Sequence, residues 1–150
     1  MKTIARWQSK SEEETQRWGE ELAKNFLHPG DLVIVAGELG VGKTQFVKGI
    51  ARGLGIEEEI KSPSFSLVHE HKRRNFTLYH LDFYRLERKE EAIDLGWEEY
   101  LEDEKGIVIV EWGDKFLPLF SPPFFWISLS YEEEDTRSIE VLYYDSCSGQ

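Results

Sequence analysis

The stretch "VAGELGVGKTQF", residues Val35 to Phe46, decides how the rest of the chain is read. Gly37 is followed by four residues and then by Gly42-Lys43-Thr44, the GxxxxGK[ST] spacing of a phosphate-cradling loop. The motif carries weight where a strand precedes it and a helix follows. Both conditions are met. "DLVIVAG" (31–37) is a continuous apolar run, as a strand buried on both faces of a parallel sheet requires. Residues 44–54 have helical periodicity and end at Gly55, a residue suited to the left-handed turn that closes a helix. A chance glycine-rich turn capping a helix would not need all three features together.

Working outward, residues 3–9 alternate as a first strand. Ser11 with Glu14 three residues on is a capping-box signature, and the helix it opens runs to about Phe26 with Trp18, Leu22 and Phe26 on one face. After the loop helix come a strand from Phe65 to His71, a strand within 75–86 that breaks at Asp82, and short acidic helices around Gly96. "GIVIVEW" (106–112) is a second buried strand. "SPPFFWISLSY" and "TRSIEVLYY" read as two strands joined by the acidic turn 132–135, forming an antiparallel hairpin at the C-terminal edge of the sheet. This alternation predicts an α/β fold: one P-loop NTPase-like domain spanning 1–150, a three-layer sandwich with a mainly parallel central sheet.

The chain has 150 residues, with 29 acidic and 18 basic side chains and a formal net charge of -11. Such a surface is a poor match for DNA or RNA, whose capture depends on clustered Lys and Arg, so work on RNA is expected to be indirect, through a partner. Lys72-Arg73-Arg74 reads as a solvated loop tip between two strands. The single cysteine, Cys147, has no partner for a disulfide. The N-terminus lacks an apolar signal core, and no apolar run reaches membrane-spanning length, so a soluble cytoplasmic protein is expected.

In a phosphate site of this kind, Lys43 reaches the terminal phosphates and the Thr44 hydroxyl sits on Mg²⁺. Mg²⁺ takes oxygen ligands and keeps several waters, so one further carboxylate is expected at the carboxyl end of a neighbouring strand. Glu111, ending "IVIVE", and Asp82, ending "LYHLD", are the two candidates, either one direct or through water. Glu111 is favoured beside the metal and Asp82 for orienting the attacking water. An ordinary strand-end cap is the alternative for each. His69 and His71 share a strand face but lack a third ligand, and read as surface histidines. His80 is expected half-buried in its strand. Trp112 reads as core packing ahead of a partner contact.

In order, "GELGVGKTQF", "KSPSFSLVHEH", "LYHLDFYRL", "DLGWEEYL" and "IVEW" span Gly37 to Trp112. Together they resemble the TsaE (YjeE) family, small bacterial ATPases needed for the threonylcarbamoyladenosine (t6A) modification of tRNA. The flanking helix and final hairpin also fit, so the resemblance covers nearly the whole chain. It implies that Gly37, Gly40, Val41, Gly42, Lys43, Thr44 and Gln45 bind ATP–Mg²⁺, with Lys43, Asp82 and Glu111 catalytic and Thr44 and Glu111 at the metal. It implies the TsaD–TsaB complex as partner, with tRNA contacted only indirectly. Three departures stand out: Glu38 for the family's commoner aspartate, Gln45 for a second threonine, and Ser64 for the threonine of "SPT". Glu12 and Arg137 are further candidates to approach the nucleotide. ATP over GTP also comes from the resemblance; the chain has no NKxD-like guanine-reading motif.

Two other readings share the loop. A small-molecule P-loop kinase needs arginines in a lid, and the segment after Asp82 offers Arg85 and Arg88 among glutamates. A non-hydrolysing nucleotide sensor needs neither a lid nor a positioned water.

Overall fold

The computed structural model describes residues 1–38, 40–63, 66–133 and 135–145; Ser64, Phe65 and Cys147 lie outside them. The elements are β1 (Lys2–Ser9), α1 (Glu12–Phe26), β2 (Leu32–Gly37), α2 (Lys43–Gly53), β3 (Val68–Lys72), β4 (Thr77–Asp82), α3 (Lys89–Leu95), α4 (Glu98–Leu101), β5 (Gly106–Glu111), a 3₁₀ segment (Gly113–Leu119), β6 (Phe124–Tyr131) and β7 (Arg137–Tyr144).

The strands form one sheet in the order β1-β7-β6-β2-β5-β4-β3. Its centre is parallel: β2 pairs with both β5 and β6, and β5 pairs with β4. Antiparallel pairs flank that centre, β3 on β4 at one side and β6–β7–β1 at the other. The expected C-terminal hairpin therefore forms, but not at the sheet edge. β1 runs along β7 from Lys2 to Ser9 and takes the edge position itself. Its sequence, KTIARWQS, leaves Lys2 and Arg6 exposed, charges of the kind that discourage an edge strand from pairing with another chain.

Strand alternation sorts the apolar side chains onto two faces. Val33, Val35, Leu78, Ile107 and Ile109 meet Leu22 of α1 and Phe46, Val47 and Ile50 of α2. Leu32, Ile34, Leu81, Val108 and Val110 meet Phe83, Leu86, Ala92, Trp97, Phe116 and Phe120 on the opposite face. The result is the expected three layers. The 3₁₀ segment, which the sequence pattern did not announce, supplies Phe116 to the second face and kinks there at φ -133° and ψ 57°.

α1 starts where expected: the Ser11 hydroxyl accepts from the Glu14 amide at 3.1 Å. The returning bond from the Glu14 carboxylate goes one residue earlier than in a capping box, to the Lys10 amide at 2.7 Å. Trp18 stacks on Trp7 of β1, with ring centroids 4.8 Å apart and planes 6° from parallel. No helix among the described residues is long and apolar enough to cross a membrane.

α1 and α2 cross at glycines. A Cβ on Gly49 would lie 1.8 Å from the Gln16 carbonyl oxygen, and one on Gly19 would lie 2.2 Å from that of Phe46. Backbone cannot retreat from a Cβ as a flexible side chain can, so the two helices would have to separate. Gly49→Ala is expected to lower stability by about 1–3 kcal/mol, read from the urea midpoint at unchanged slope. A wild-type midpoint would show that the helix contact is looser than described.

Candidate functional site

The site is assembled by strand register. In β4 the side chains of Leu78, His80 and Asp82 point to the α1/α2 layer, and in β5 those of Ile107, Ile109 and Glu111 do. Asp82 is the register partner of Glu111, and Glu111 is the register partner of Val35 near the end of β2. Three parallel strands thus finish level. Two carboxylates stand side by side where β2 hands over to the glycine loop.

The loop turns the chain from β2 into α2 through conformations that L side chains rarely adopt: Gly37 has φ 152° and Gly42 has φ 114°. A Cβ at Gly37 would also fall 2.6 Å from the Leu129 carbonyl oxygen. Val41 is fully buried, and its side chain anchors the loop in the core. Gly42 is the N-cap of α2, and its carbonyl accepts the first helical bond, from Phe46, at 2.9 Å. α1 carries Glu12, Glu13 and Glu14 in its first turn. α2 carries no acidic residue there, so its positive end is left uncompensated.

Lys43 is 5% exposed. Its ammonium donates to the carbonyls of Gly37 (2.6 Å) and Glu38 (2.8 Å) and lies 3.9 Å from the centre of the Trp112 ring. Burial holds its pKa below the ordinary 10.5, opposed in part by the charges of Glu111, Asp114, Asp82 and Glu38. The Thr44 hydroxyl donates to Glu111, 3.0 Å from Oε1 and 3.2 Å from Oε2. Asp82, 2% exposed, accepts from the Ser62 hydroxyl at 3.0 Å and from the Tyr84 amide at 2.8 Å.

These groups line one open cleft of about 480 Å³, with Gly40, Gly42, Lys43, Thr44 and Gln45 on the loop side and Asp82, Glu111 and Trp112 on the strand side. Glu12 and Arg137 stand on its wall too. The Arg137 Nε donates to the Val41 carbonyl at 2.8 Å, tying β7 to the loop. Gln45 accepts from the Gln16 side-chain amide at 2.7 Å, so the residue that replaces a hydroxyl here links α2 to α1. Gly37 and Val41 are behind the cleft wall rather than on it.

Burial extends one expectation and corrects another. Trp112 is half-buried: it packs against the second core as expected, and the left-handed backbone at φ 63° also turns it onto the cleft, against Lys43 and Tyr84. His80 is not half-buried but wholly so, with Nε2 2.5 Å from Glu111 Oε2. Its parity with Asp82 along β4 was the available signal. Arg85, named above as an available lid arginine, also lines the cleft, as do Ser62 and Tyr84, which no spacing rule singled out. His69 and His71 stay apart from the site. His71 pairs with Glu58, and among the described residues no three His, Cys, Asp or Glu side chains are grouped to hold a metal.

Fold and site define a mixed α/β protein whose cleft, at the carboxyl ends of parallel strands, combines a glycine loop, a buried lysine and two buried carboxylates. Residues 9–139 match the model of the family described as threonylcarbamoyl adenosine biosynthesis protein TsaE. The chain is 40% identical over 133 residues to the tRNA threonylcarbamoyladenosine biosynthesis protein TsaE of Treponema pallidum, covering 89% of this chain and 96% of that one. It is 41% identical over 107 residues to the protein of the same name from Bacillus subtilis, covering 71% and 65%. The crystal structure of Bacillus subtilis YdiB superposes with a TM-score of 0.76 at 31% identity, over 91% of this chain and 83% of that one. The chain belongs to the TsaE family.

The Lys43 environment has a measurable signature. Because its folded pKa lies below the unfolded one, the unfolded chain binds the proton more tightly between those values. Stability from this group therefore rises as pH climbs through the folded pKa towards 10.5. Urea unfolding from pH 8 to 10.5 is expected to show wild-type stability rising relative to Lys43→Met. Parallel pH profiles for the two proteins would show that Lys43 is not desolvated as described.

Proposed function

We propose that this protein is a P-loop ATPase subunit that binds and hydrolyses ATP–Mg²⁺ to reset the TsaD–TsaB transferase complex during t6A modification of tRNA. The carrying observation is the donor set of the cleft: a glycine loop opening a helix whose first turn has no acidic residue, with Lys43, Thr44, Asp82 and Glu111 converging on it. Family membership supports the pathway, because the relatives are named as tRNA threonylcarbamoyladenosine biosynthesis proteins.

The first-turn amides of α2 receive phosphate oxygens, as helix N-termini do. Lys43 transfers its ammonium from the Gly37 and Glu38 carbonyls to the terminal phosphates. The cleft suits Mg²⁺. Its anionic donors are hard carboxylate oxygens, two of them beside one ammonium, and Thr44 and Glu111 already touch. Those two residues would hold the metal, which supplies charge neutralisation on the phosphates when bound. Asp82, held by Ser62 and the Tyr84 amide, orients the attacking water and accepts its proton at the carboxylate. Trp112 lies over Lys43 and closes the cleft from the strand side.

The acidic surface fits a subunit that docks on proteins and leaves tRNA to its partners. Phosphate release is expected to be slow alone and accelerated by TsaD–TsaB. Lys43→Ala and Glu111→Ala are each expected to cut it by about 10²–10³-fold, the loss typical of removing one charge-stabilising group. Release that is fast alone and indifferent to the partners would refute the subunit role. Wild-type release in both variants would refute the site.

A further inference from the structure

His80 is a fully buried histidine that the proposed mechanism leaves unused. It is 0% exposed, in the middle of β4, with Ile109 beside it on one neighbouring strand and His69 on the other. Its Nε2 is 2.5 Å from Glu111 Oε2, and its Nδ1, also buried, has no hydrogen-bond partner among the described residues. A histidine buried for packing alone would be expected to satisfy both ring nitrogens. Here the bonding of the ring is concentrated on one carboxylate. That carboxylate also accepts from Thr44, the hydroxyl assigned to the metal.

A glutamate has three rotatable bonds, so the strand end alone does not fix its carboxylate plane. Two donors on different elements do. The Thr44 hydroxyl reaches Glu111 from the first turn of α2, and the His80 ring reaches it from within the sheet. The imidazole N–H holds Oε2, and the Thr44 hydroxyl lies within reach of both oxygens, 3.0 Å from Oε1 and 3.2 Å from Oε2, so Oε1 is the oxygen that the ring leaves open beside Thr44.

We propose that His80 is a positioning residue: by donating from Nε2 to Glu111 Oε2, it presents Oε1 beside the Thr44 hydroxyl to a divalent cation. This rests on the reading of Thr44 and Glu111 as the metal-holding pair. Outer-shell donors to ligating carboxylates typically tune metal affinity by one to two orders of magnitude. His80 would act through Glu111 without touching nucleotide.

The test compares wild type with His80→Leu, His80→Gln and His80→Asn. Leu fills the site without a donor. Gln carries an amide nitrogen near the Nε2 position, and Asn one near Nδ1, out of reach of Glu111. Binding of a non-hydrolysable ATP analogue is measured by calorimetry in EDTA and across a Mg²⁺ titration. Binding in EDTA is expected to be equal in all four. Half-saturation by Mg²⁺ is expected to rise about 10- to 100-fold in Leu and Asn and to return towards wild type in Gln. Unchanged Mg²⁺ dependence in Leu and Asn overturns the proposal. If Leu does not fold, the Asn–Gln comparison decides alone, and equal Mg²⁺ dependence in those two overturns it. Thr44→Ala separates the two levels. Loss of the Mg²⁺ effect there, with its retention in Leu and Asn, sinks the His80 proposal and leaves the site reading intact. A wild type that gains nothing from Mg²⁺ removes the site reading and this inference with it.

Discussion

Everything at the cleft depends on the parallel pairing that brings β2, β5 and β4 to a common finish. Val35, Glu111 and Asp82 lie in one row across three strands. Period-two alternation then sends both carboxylates to the helix side. A slip of one residue in β5 would turn Glu111 towards Phe83 and Phe116 and put Val110 in the cleft. That slip is opposed by the whole apolar set of the strand. Ile107 and Ile109 belong to one core and Val108 and Val110 to the other, so a shifted register would exchange every one of them. The chemistry of the cleft is therefore held in place by side chains with no chemistry of their own.

The second constraint is distance. α2 must begin close to the strand ends for Thr44 to reach Glu111, and α1 must lie close to α2 for Thr15 and Glu12 to wall the cleft. Glycine on both helices permits that approach, with Gly19 against Phe46 and Gly49 against Gln16. Polar ties then fix the elements laterally: Gln16 to Gln45 between the helices, and Arg137 to the Val41 carbonyl between β7 and the loop. The antiparallel strands added outside the parallel centre thus have a local task. β7 brings an arginine to a loop that starts two strands away in the sheet.

Much of this was legible in the sequence because it depends on local pattern. The loop spacing, the apolar runs of β2 and β5 and the cap at Ser11 each follow from neighbouring residues. So did Glu111 and Asp82, which end strands. What was hidden depends on pairs far apart in the chain. That β1 covers β7 requires knowing that residues 2–9 return to residues 137–143, and no local signal says so. His80 looked like a half-buried strand residue because its partner is 31 positions away. Trp112 read as core packing, and it does pack there, but its place over the cleft was hidden. The left-handed turn that carries it out over Lys43 is a rare backbone state for a non-glycine residue, with a strain of about 1–2 kcal/mol that propensity argues against.

The charge of the cleft wall bears on what it can accept. Glu111 and Asp82 are each 2% exposed and Lys43 is 5% exposed, so their formal charges, one positive and two negative, act where water screens them poorly. With Glu12, Arg85 and Arg137 included, the cleft wall carries three acidic and three basic side chains, on a chain of net charge -11. On the proposed reading, a polyphosphate accompanied by a divalent cation would set that cation against the two buried carboxylates, leaving the helix end and Lys43 to the phosphate oxygens. On that reading, part of the positive charge that phosphate demands would arrive with the ligand, and the buried carboxylates would hold it.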